Sequence, residues 1–240
     1  MDLAYELAFV VFPYLCLAVF VVGHAYRYRS DRYGWNAQSS EFLEKNSLFY
    51  GSVFFHFGIV LTLLGHAGGL LIPQALYDIA GIRSETHLAI AYWMGLLVGA
   101  AALAGALLLL RRRITHSRLR ATSTVNDAIT LGALVVVIGA GMYNVLFGHH
   151  NVLYTVAPWI RGVLTFTPDP GLMRQVPISY KVHVLSALAL LGFSPFSRLV
   201  HVWSAPLGYL FRKLLIFRRD EEGTNRGEVP CRPIPGSEVQ

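Results

Sequence analysis

Charged residues are scarce in this chain: 14% of its 240 residues are charged, whereas 54% are hydrophobic. Soluble domains carry about 25% charged residues, so this shortage argues against a soluble globular protein and favours a membrane protein. Acidic residues are almost missing from the apolar runs, with Glu6 and Asp127 near the ends of two of them. Proton relays in membranes usually include such acids, so a relay built on carboxylates is poorly supported.

Cysteine is also scarce, and the chain has no internal repeat. Cys16 and Cys231 lack the spacing of a CxxC motif. They therefore indicate neither a metal cluster nor a disulfide.

Long apolar runs are abundant, and five of them reach the roughly 20 residues that a helix needs to cross a bilayer. They predict an all-α integral membrane protein, a bundle of five transmembrane helices at about residues 3–26, 48–72, 88–110, 127–147 and 180–204. The first run has no basic residue before it, so we interpret it as a retained span and not as a signal peptide. We expect a membrane domain over residues 1–217 and a polar, disordered cytoplasmic tail over 218–240.

Basic residues predict the orientation of the bundle. With the amino terminus outside, 16 of the 20 lysines and arginines fall in inner segments and four in outer loops. This asymmetry is typical of membrane proteins and places the carboxyl terminus in the cytoplasm. It also explains the net charge of +6 without a nucleic-acid partner. In the longer outer loop, residues 151–166 are predicted to form an interfacial helix.

Four of the nine histidines lie in or at the edges of two spans: His56 and His66 in the second, His183 and His201 in the fifth. A single imidazole in a membrane could simply bond to a neighbouring helix. Two on each of two spans favour a shared function, as ligands of haem iron, as a proton relay or as ligands of a transported metal. The missing acids argue against a relay, and the missing cysteines and HxxxH or HxxE patterns against zinc or copper. Haem accepts one imidazole from each side of its ring, which two facing helices supply well.

Helix geometry predicts how the four histidines pair. His56 and His66 are separated by about 15 Å of rise and belong to different depths, hence to two cofactors. His183 and His201 share one helix face about 27 Å apart. Because the two spans run in opposite directions, His66 meets His183 near the outer surface and His56 meets His201 nearer the inner one. The separation along the second span, about 15 Å, differs from the separation of about 27 Å along the fifth. The pairing therefore requires a marked crossing angle between the helices, a tilted inner ring or a break in the fifth helix at Pro195.

Glycines recur every seven residues beside the first histidine pair, at Gly51, Gly58 and Gly65. A missing side chain lets a ring or another helix approach the backbone closely. We interpret Gly51 and Gly58 as helix-packing residues and favour a cofactor role for Gly65, beside His66.

Several stretches of the chain match a known family, above all "FHFGIVLTLLGHAGG" at 55–69, "RATSTVND" at 120–127 and "FSPFSRLVHVWSAPLGYLFRK" at 193–213. On these residues the chain resembles, from about residue 12 to 219, the gamma subunit of membrane-bound respiratory nitrate reductase, a dihaem cytochrome b. The resemblance implies two b haems, the outer one held by His66 and His183 and the inner one by His56 and His201. It implies a multi-pass protein of a bacterial or archaeal cell membrane that serves anaerobic respiration and nitrate assimilation.

The same resemblance implies partners. Quinol would be oxidised near the outer face, and its electrons would reach an iron–sulfur beta subunit and a molybdenum-containing alpha subunit that reduces nitrate to nitrite in the cytoplasm. Relatives carry a lysine near the quinol pocket, whereas "RSETHLA" at 83–89 has none. The pocket candidates are Gly65, Gly69, Arg83 and His87. Haem propionates are anionic, and the candidate cationic partners are Arg112 with Arg111 and Arg113 for the inner haem and Lys181 and Arg174 for the outer one.

Three other interpretations remain open. The chain could be the dihaem quinol-oxidising subunit of another cytoplasmic reductase, one that acts on sulfur compounds or a heterodisulfide. It could be a haem-free transporter of metal ions or protons, which predicts carboxylates along a polar path. It could be a structural anchor, which leaves the four histidines unexplained.

Overall fold

The computed structural model of the chain describes residues 3–30 and 46–203, and within these ranges it is helical and contains no strand. The predicted tail at 218–240, its boundary with the membrane domain and most of the first inner segment lie outside the described residues. The described ranges contain eight α-helices: α1 (Leu3–Ser30, with a π-helical turn at Leu7–Val11), α2 (Asn46–His66), α3 (Gln74–Ile79), α4 (Ser84–Thr115), α5 (Ser117–Thr122), α6 (Val125–Phe147), α7 (Val156–Leu164) and α8 (Ile178–Phe193).

Five of these helices are long and apolar enough to cross a membrane, namely α1, α2, α4, α6 and α8, which confirms the predicted number of spans. Their large apolar side chains are widely exposed: 69% of Phe57 and 68% of Leu97 are accessible. Exposed side chains of this kind would be costly in water and are suited to contact with lipid. The loops that join α2 to α4 and α6 to α8 share one end of the bundle, here called the loop end; Arg112 and Arg198 mark the other, the arginine end.

Close backbone packing joins α2 to α4. A β-carbon built at Gly58 would overlap the backbone of Ala102, and one built at Gly105 would overlap the backbone of Phe55. Gly51 faces Leu109 at 3.0 Å in the same interface. The packing role predicted for Gly51 and Gly58 is therefore confirmed, and such small residues let membrane helices approach closely.

The helices pack in the order α2, α4, α6, α8 and α1. The two helices that bear histidines, α2 and α8, are thus separated in this order by α4 and α6. Their imidazoles nevertheless come close to each other, so the series of helices curves around a shared space. The imidazoles of these two helices lie around that space.

Helix α7 fixes two π-helical turns at the loop end. It forms where an interfacial helix is predicted, but its apolar side chains are buried against the bundle, with Trp159 wholly inaccessible. Trp159 Nε1 donates to the carbonyl of Phe9, within the π-helical turn of α1, at 3.0 Å. Arg161 donates to the carbonyl of Leu70 at 2.9 Å, within a second π-helical turn, Ala67–Leu71, which directly follows His66. π-Helical turns occur frequently at functional sites.

The fifth span differs from its prediction. A single helix was expected over about 180–204, but α8 ends at Phe193 and is followed by two 3₁₀ turns, Ser194–Phe196 and Arg198–Val202. Ser197 between them is extended, with φ −121° and ψ 177°. Proline cannot donate to a helical ladder, and Pro195 lies at this break. The break removes the 27 Å separation that an unbroken helix would impose.

Candidate cofactor site between the histidine-bearing helices

Four imidazoles form two pairs across the space between α2 and the α8 segment. The ring centres of His66 and His183 are 6.1 Å apart at the loop end. Those of His56 and His201 are 6.0 Å apart towards the arginine end. The structure therefore brings together the residues that helix geometry pairs.

Each of the four rings is fixed by a hydrogen bond from Nδ1 to a backbone carbonyl. His56 and His66 donate to the carbonyls one turn earlier on their own helix, Ser52 and Thr62, each at 2.8 Å. His201 likewise donates to Arg198 at 2.6 Å. A carbonyl oxygen only accepts, so Nδ1 must carry the proton.

In the neutral imidazole with this tautomer, the remaining nitrogen, Nε2, carries a lone pair and is available as a ligand. Histidines that bind metals usually hold their other ring nitrogen in such a bond, which sets the tautomer and the ring orientation.

His183 obtains its acceptor from another helix. Its Nδ1 donates to the carbonyl of Val137 on α6 at 3.0 Å. That carbonyl lies one turn before Gly141, and a β-carbon at Gly141 would come 2.9 Å from Cε1 of His183. Because a carbonyl oxygen has two lone pairs, Val137 can serve both its helix and the imidazole, provided that residue 141 has no side chain.

The spacing of each pair can be tested against the haem that the resemblance implies. A bond from a metal to an imidazole nitrogen is about 2 Å long, and the nitrogen lies roughly 1 Å from the ring centre, so two rings on opposite sides of one metal have centres roughly 6 Å apart. Both pairs meet this spacing. Gly65 has no atom within 4 Å of a β-carbon built on it, so space is open beside His66. In residues 3–30 and 46–203, no group of three or more His, Cys, Asp or Glu could hold a metal. The donor set is thus two separate pairs of imidazoles, which fits two haems.

A small polar cluster lies beside the π-helical turn that follows His66. His87 is buried, its ring centre is 4.3 Å from that of Tyr77, and its Nε2 lies 3.8 Å from a β-carbon built at Gly69. Its Nδ1 bonds to Gln74 Oε1 at 2.8 Å.

The amide of Gln74 sets the tautomer of His87. Gln74 Nε2 donates to Asp78 at 2.8 Å and to the carbonyl of Ile82 at 3.0 Å, so its oxygen must face His87. In the neutral ring, Nδ1 of His87 then carries the proton, and Nε2 is an acceptor on the side of Gly69.

Comparison with known proteins identifies the family. A family model described as the nitrate reductase gamma subunit matches residues 5–220. The nitrate reductase gamma chain of Bacillus subtilis is 38% identical over 87% of this chain and 96% of its own length. The respiratory nitrate reductase 1 gamma chain of Escherichia coli is 33% identical over 88% of this chain and 95% of its own length. The chain belongs to the nitrate reductase gamma subunit family.

A longer relative is also similar. The nitrate reductase-like protein NarX of Mycobacterium tuberculosis is 39% identical over 92% of this chain, which spans 35% of the length of that protein. This chain thus spans about a third of the length of that relative. With five helices of spanning length, the present member is a multi-pass membrane protein.

The arginines that a gamma subunit was expected to offer to haem propionates differ in their surroundings. Arg112 is buried, with 5% of its surface accessible, whereas Arg111 is exposed. Arg113 binds Asp127 Oδ2 at 3.1 Å and Ser123 at 3.0 Å. Of the three, Arg112 therefore has the most sheltered position near the arginine end.

The remaining candidates are less well placed. Arg83 precedes α4 and its side chain is exposed, although its backbone carbonyl accepts from the backbone amide of His87 at 2.9 Å. Lys181 donates to the hydroxyl of Tyr5 at 2.8 Å, and the guanidinium of Arg174 lies 5.5 Å from the same ring. Both of these candidate cations thus contact Tyr5 of α1.

Sequence reasoning about this gamma-subunit chain missed Gly141, Gln74 and the role of Asp127. Gly141 and Gln74 act on histidines that lie far away in the sequence or on another helix. The sequence of α6 contains three glycines, Gly132, Gly139 and Gly141. Nothing in the sequence alone separates Gly141 from the other two. Only Gly141 meets an imidazole; the other two have no neighbour within 4 Å of a β-carbon.

Proposed function

We propose that this chain is the cytochrome b subunit of a quinol:nitrate oxidoreductase and that it holds two b-type haems. His66 and His183 would hold one haem, and His56 and His201 the other. The observation that carries the proposal is the set of four Nδ1-to-carbonyl bonds, which leaves Nε2 free in two pairs of rings about 6 Å apart. A structural role for the histidines does not require the same tautomer four times.

When bound, the two haems would supply one-electron transfer between a quinol at one membrane face and acceptors at the other. The protein would contribute imidazole ligands, their orientation and burial, which would set the potential of each group. Arg112, buried near the arginine end, is the proposed partner of the inner propionates.

The proposed quinol pocket lies at the loop end, and we propose that this end faces outwards because basic residues are concentrated at the other end. Gly65 and Gly69 leave room beside His66, and the neutral tautomer of His87 would offer Nε2 as an acceptor on the side of Gly69. Quinol must release two protons as it is oxidised, and His87 Nε2 is the proposed acceptor for one of them. Arg83, one turn before His87 and exposed, is a proposed peripheral member of the pocket.

The proposed partners are an iron–sulfur beta subunit and a molybdenum-containing alpha subunit on the cytoplasmic side, where nitrate is reduced to nitrite. Nitrate is the proposed terminal acceptor because the matching gamma chains carry nitrate reductase in their names. The chain itself would not bind nitrate. The proposed location is the cell membrane of a bacterium or archaeon.

The first test is a reduced-minus-oxidised spectrum of the purified chain, produced with ample haem, together with haem quantified per chain. Two b-type haems are expected. His66→Ala and His183→Ala should each lose the same haem, and His56→Ala and His201→Ala the other. If both haems survive His66→Ala or His183→Ala, the ligand assignment is wrong; a folded wild-type chain without haem would overturn the function.

The terminal acceptor needs a separate test. In membranes that contain the whole complex, haems reduced by quinol should be reoxidised on addition of nitrate. Reoxidation by a sulfur compound or a heterodisulfide, with nitrate inert, would assign the chain to another cytoplasmic reductase.

A further inference from the structure

The carboxylate of Asp127 joins three elements at the arginine end. It is buried, with 5% of the residue accessible, at the start of α6. Arg198 binds it with both Nε and Nη2, and Arg113 from the end of α4 binds Oδ2 at 3.1 Å. Asp127 also forms a capping box with Thr124, in which each side chain accepts from the other backbone amide.

The residue that Asp127 binds also orients one of the four histidines. The carbonyl of Arg198 accepts the bond from Nδ1 of His201 at 2.6 Å. Both residues belong to the 3₁₀ turn Arg198–Val202, which the extended Ser197 separates from the helical part of the span. The regular ladder of α8 therefore does not hold this turn in place.

Side chains hold the segment around the break. Asn126 donates to the carbonyl of Phe196 at 2.6 Å, and Arg27 donates to that of Pro195 at 2.7 Å. These bonds fix the residues before Ser197. The bidentate pair between Asp127 and Arg198 fixes the turn after it, and a bidentate carboxylate–guanidinium pair adds geometric specificity as well as energy.

We propose that Asp127 is a positioning residue for His201, acting through Arg198, and that its charge sets the reduction potential of the haem that His56 and His201 hold. The inference rests on the proposed function, since it requires that haem. Two effects act in the same direction. Removing the carboxylate takes a negative charge away from two guanidinium groups, and it loosens the carbonyl that orients the His201 imidazole and strengthens it as a ligand. Both favour the reduced form of the haem.

A merely structural role for Asp127 is the alternative, because an acid in a capping box stabilises a helix without any cofactor. Substitutions separate the roles. Asp127→Asn keeps an oxygen for the cap but removes the charge. Asp127→Glu keeps the charge, and glutamate is the usual residue at this position of a capping box.

The experiment is a redox titration of the whole complex in membranes, with each haem followed at its own absorption band. In Asp127→Asn the reduction equilibrium of the His56–His201 haem should shift by about tenfold towards the reduced form, or about 59 mV for one electron. The His66–His183 haem at the other end serves as an internal control and should not move. In Asp127→Glu, which keeps the charge, the potential of this haem should remain close to the wild-type value.

Arg113→Gln is the matched control, because it removes a positive charge that is paired with the same carboxylate. Arg113 lies outside the turn that bears His201. It should lower the midpoint potential of the His56–His201 haem and leave haem content unchanged. The proposal is overturned if Asp127→Asn leaves that potential unchanged, moves both haems equally or loses both haems together. A wild-type complex without haem would instead contradict the proposed function.

Discussion

Gly141 of α6 lies against the imidazole of His183, so closely that a β-carbon on the glycine would come 2.9 Å from the Cε1 atom of the ring. The contact is a consequence of the bond from His183 to the carbonyl of Val137, one turn earlier on the same helix. Ring and glycine thus depend on each other. This dependence leads to the first prediction.

Gly141→Ala should displace His183 and weaken or abolish binding of the haem at the loop end. Crowding of this kind in a packed interior typically costs about 1–3 kcal/mol. The measurement is haem content per chain, resolved by spectrum into the two groups. Gly139→Ala is the control, because nothing lies within 4 Å of a β-carbon at Gly139. Equal haem content in both variants would show that Gly141 does not make room for the ring.

The glycines of α2 should separate by role. Gly58→Val should disrupt the contact with Ala102 and lower the yield of folded protein, because backbone and not a flexible side chain stands in the way. Gly65→Ala should leave the yield unchanged but reduce the rate of quinol oxidation or haem occupancy at the loop end. Folded yield is measured by size-exclusion chromatography in detergent. A Gly65→Ala chain that aggregates like Gly58→Val would contradict this division.

His87→Phe should slow quinol oxidation without loss of haem. The substitution keeps an aromatic ring beside Tyr77 but removes the acceptor nitrogen, and positioned acid–base groups typically contribute about 10²- to 10⁴-fold to rate. Steady-state oxidation of a soluble quinol analogue is the measurement, with haem content measured on the same sample. Glu85→Gln, two residues away and exposed, is the control. Unchanged kinetics in His87→Phe would remove His87 from the pocket.

Gln74→Leu should reproduce part of that defect. The variant removes the amide that fixes the tautomer of His87, so the rate should fall by about tenfold, the equivalent of one lost hydrogen bond of about 1.4 kcal/mol. The rate of His87→Phe with Gln74→Leu added should equal that of His87→Phe alone. Additive losses in the double variant would mean that Gln74 acts independently of His87.

The stability of the loop between α6 and α8 should depend on pH through His150. Burial lowers the pKa of this imidazole below its ordinary value, and Nε2 lies 2.8 Å from the hydroxyl of Thr155. The unfolded chain therefore binds a proton more readily, so stability should fall as the pH drops through the ordinary range of histidine. Thermal unfolding between mildly alkaline and mildly acidic pH measures the effect. His150→Asn should flatten this part of the profile; an unaltered slope would assign the dependence to other groups.

Much of the bundle follows from the sequence, because apolar length and the distribution of arginines report directly on membrane spans. The pairs His66–His183 and His56–His201 followed from depth alone, since depth depends only on helix rise and direction. The break at the end of α8 was one of three explanations for the unequal rises, and Pro195 marked it in the sequence. Because proline disrupts a helix, Pro195 predicts where the break lies, but it does not predict the conformation of the residues that follow.

The contacts that orient the histidines could not be predicted in the same way. Gly141 and Val137 depend on which face of α6 meets α8, and apolar side chains cover nearly every face of a membrane helix. Without an amphipathic pattern, the sequence does not indicate which face of α6 points towards α8. Gln74 reaches His87 only because the short α3 folds back after Pro73, which is a tertiary result. The π-helical turn after His66 likewise depends on Arg161, far along the chain.

The packing order of the helices has a consequence for how the protein is made. Each pair takes one histidine from α2 and its partner from α8 or the turn that follows, with α4 and α6 synthesised in between. A growing chain can therefore insert its first four spans before either pair is complete. Capture of the proposed haems would then be among the last events in maturation, and a chain that stops before Ile178 would have four of the five spans and only one histidine of each pair.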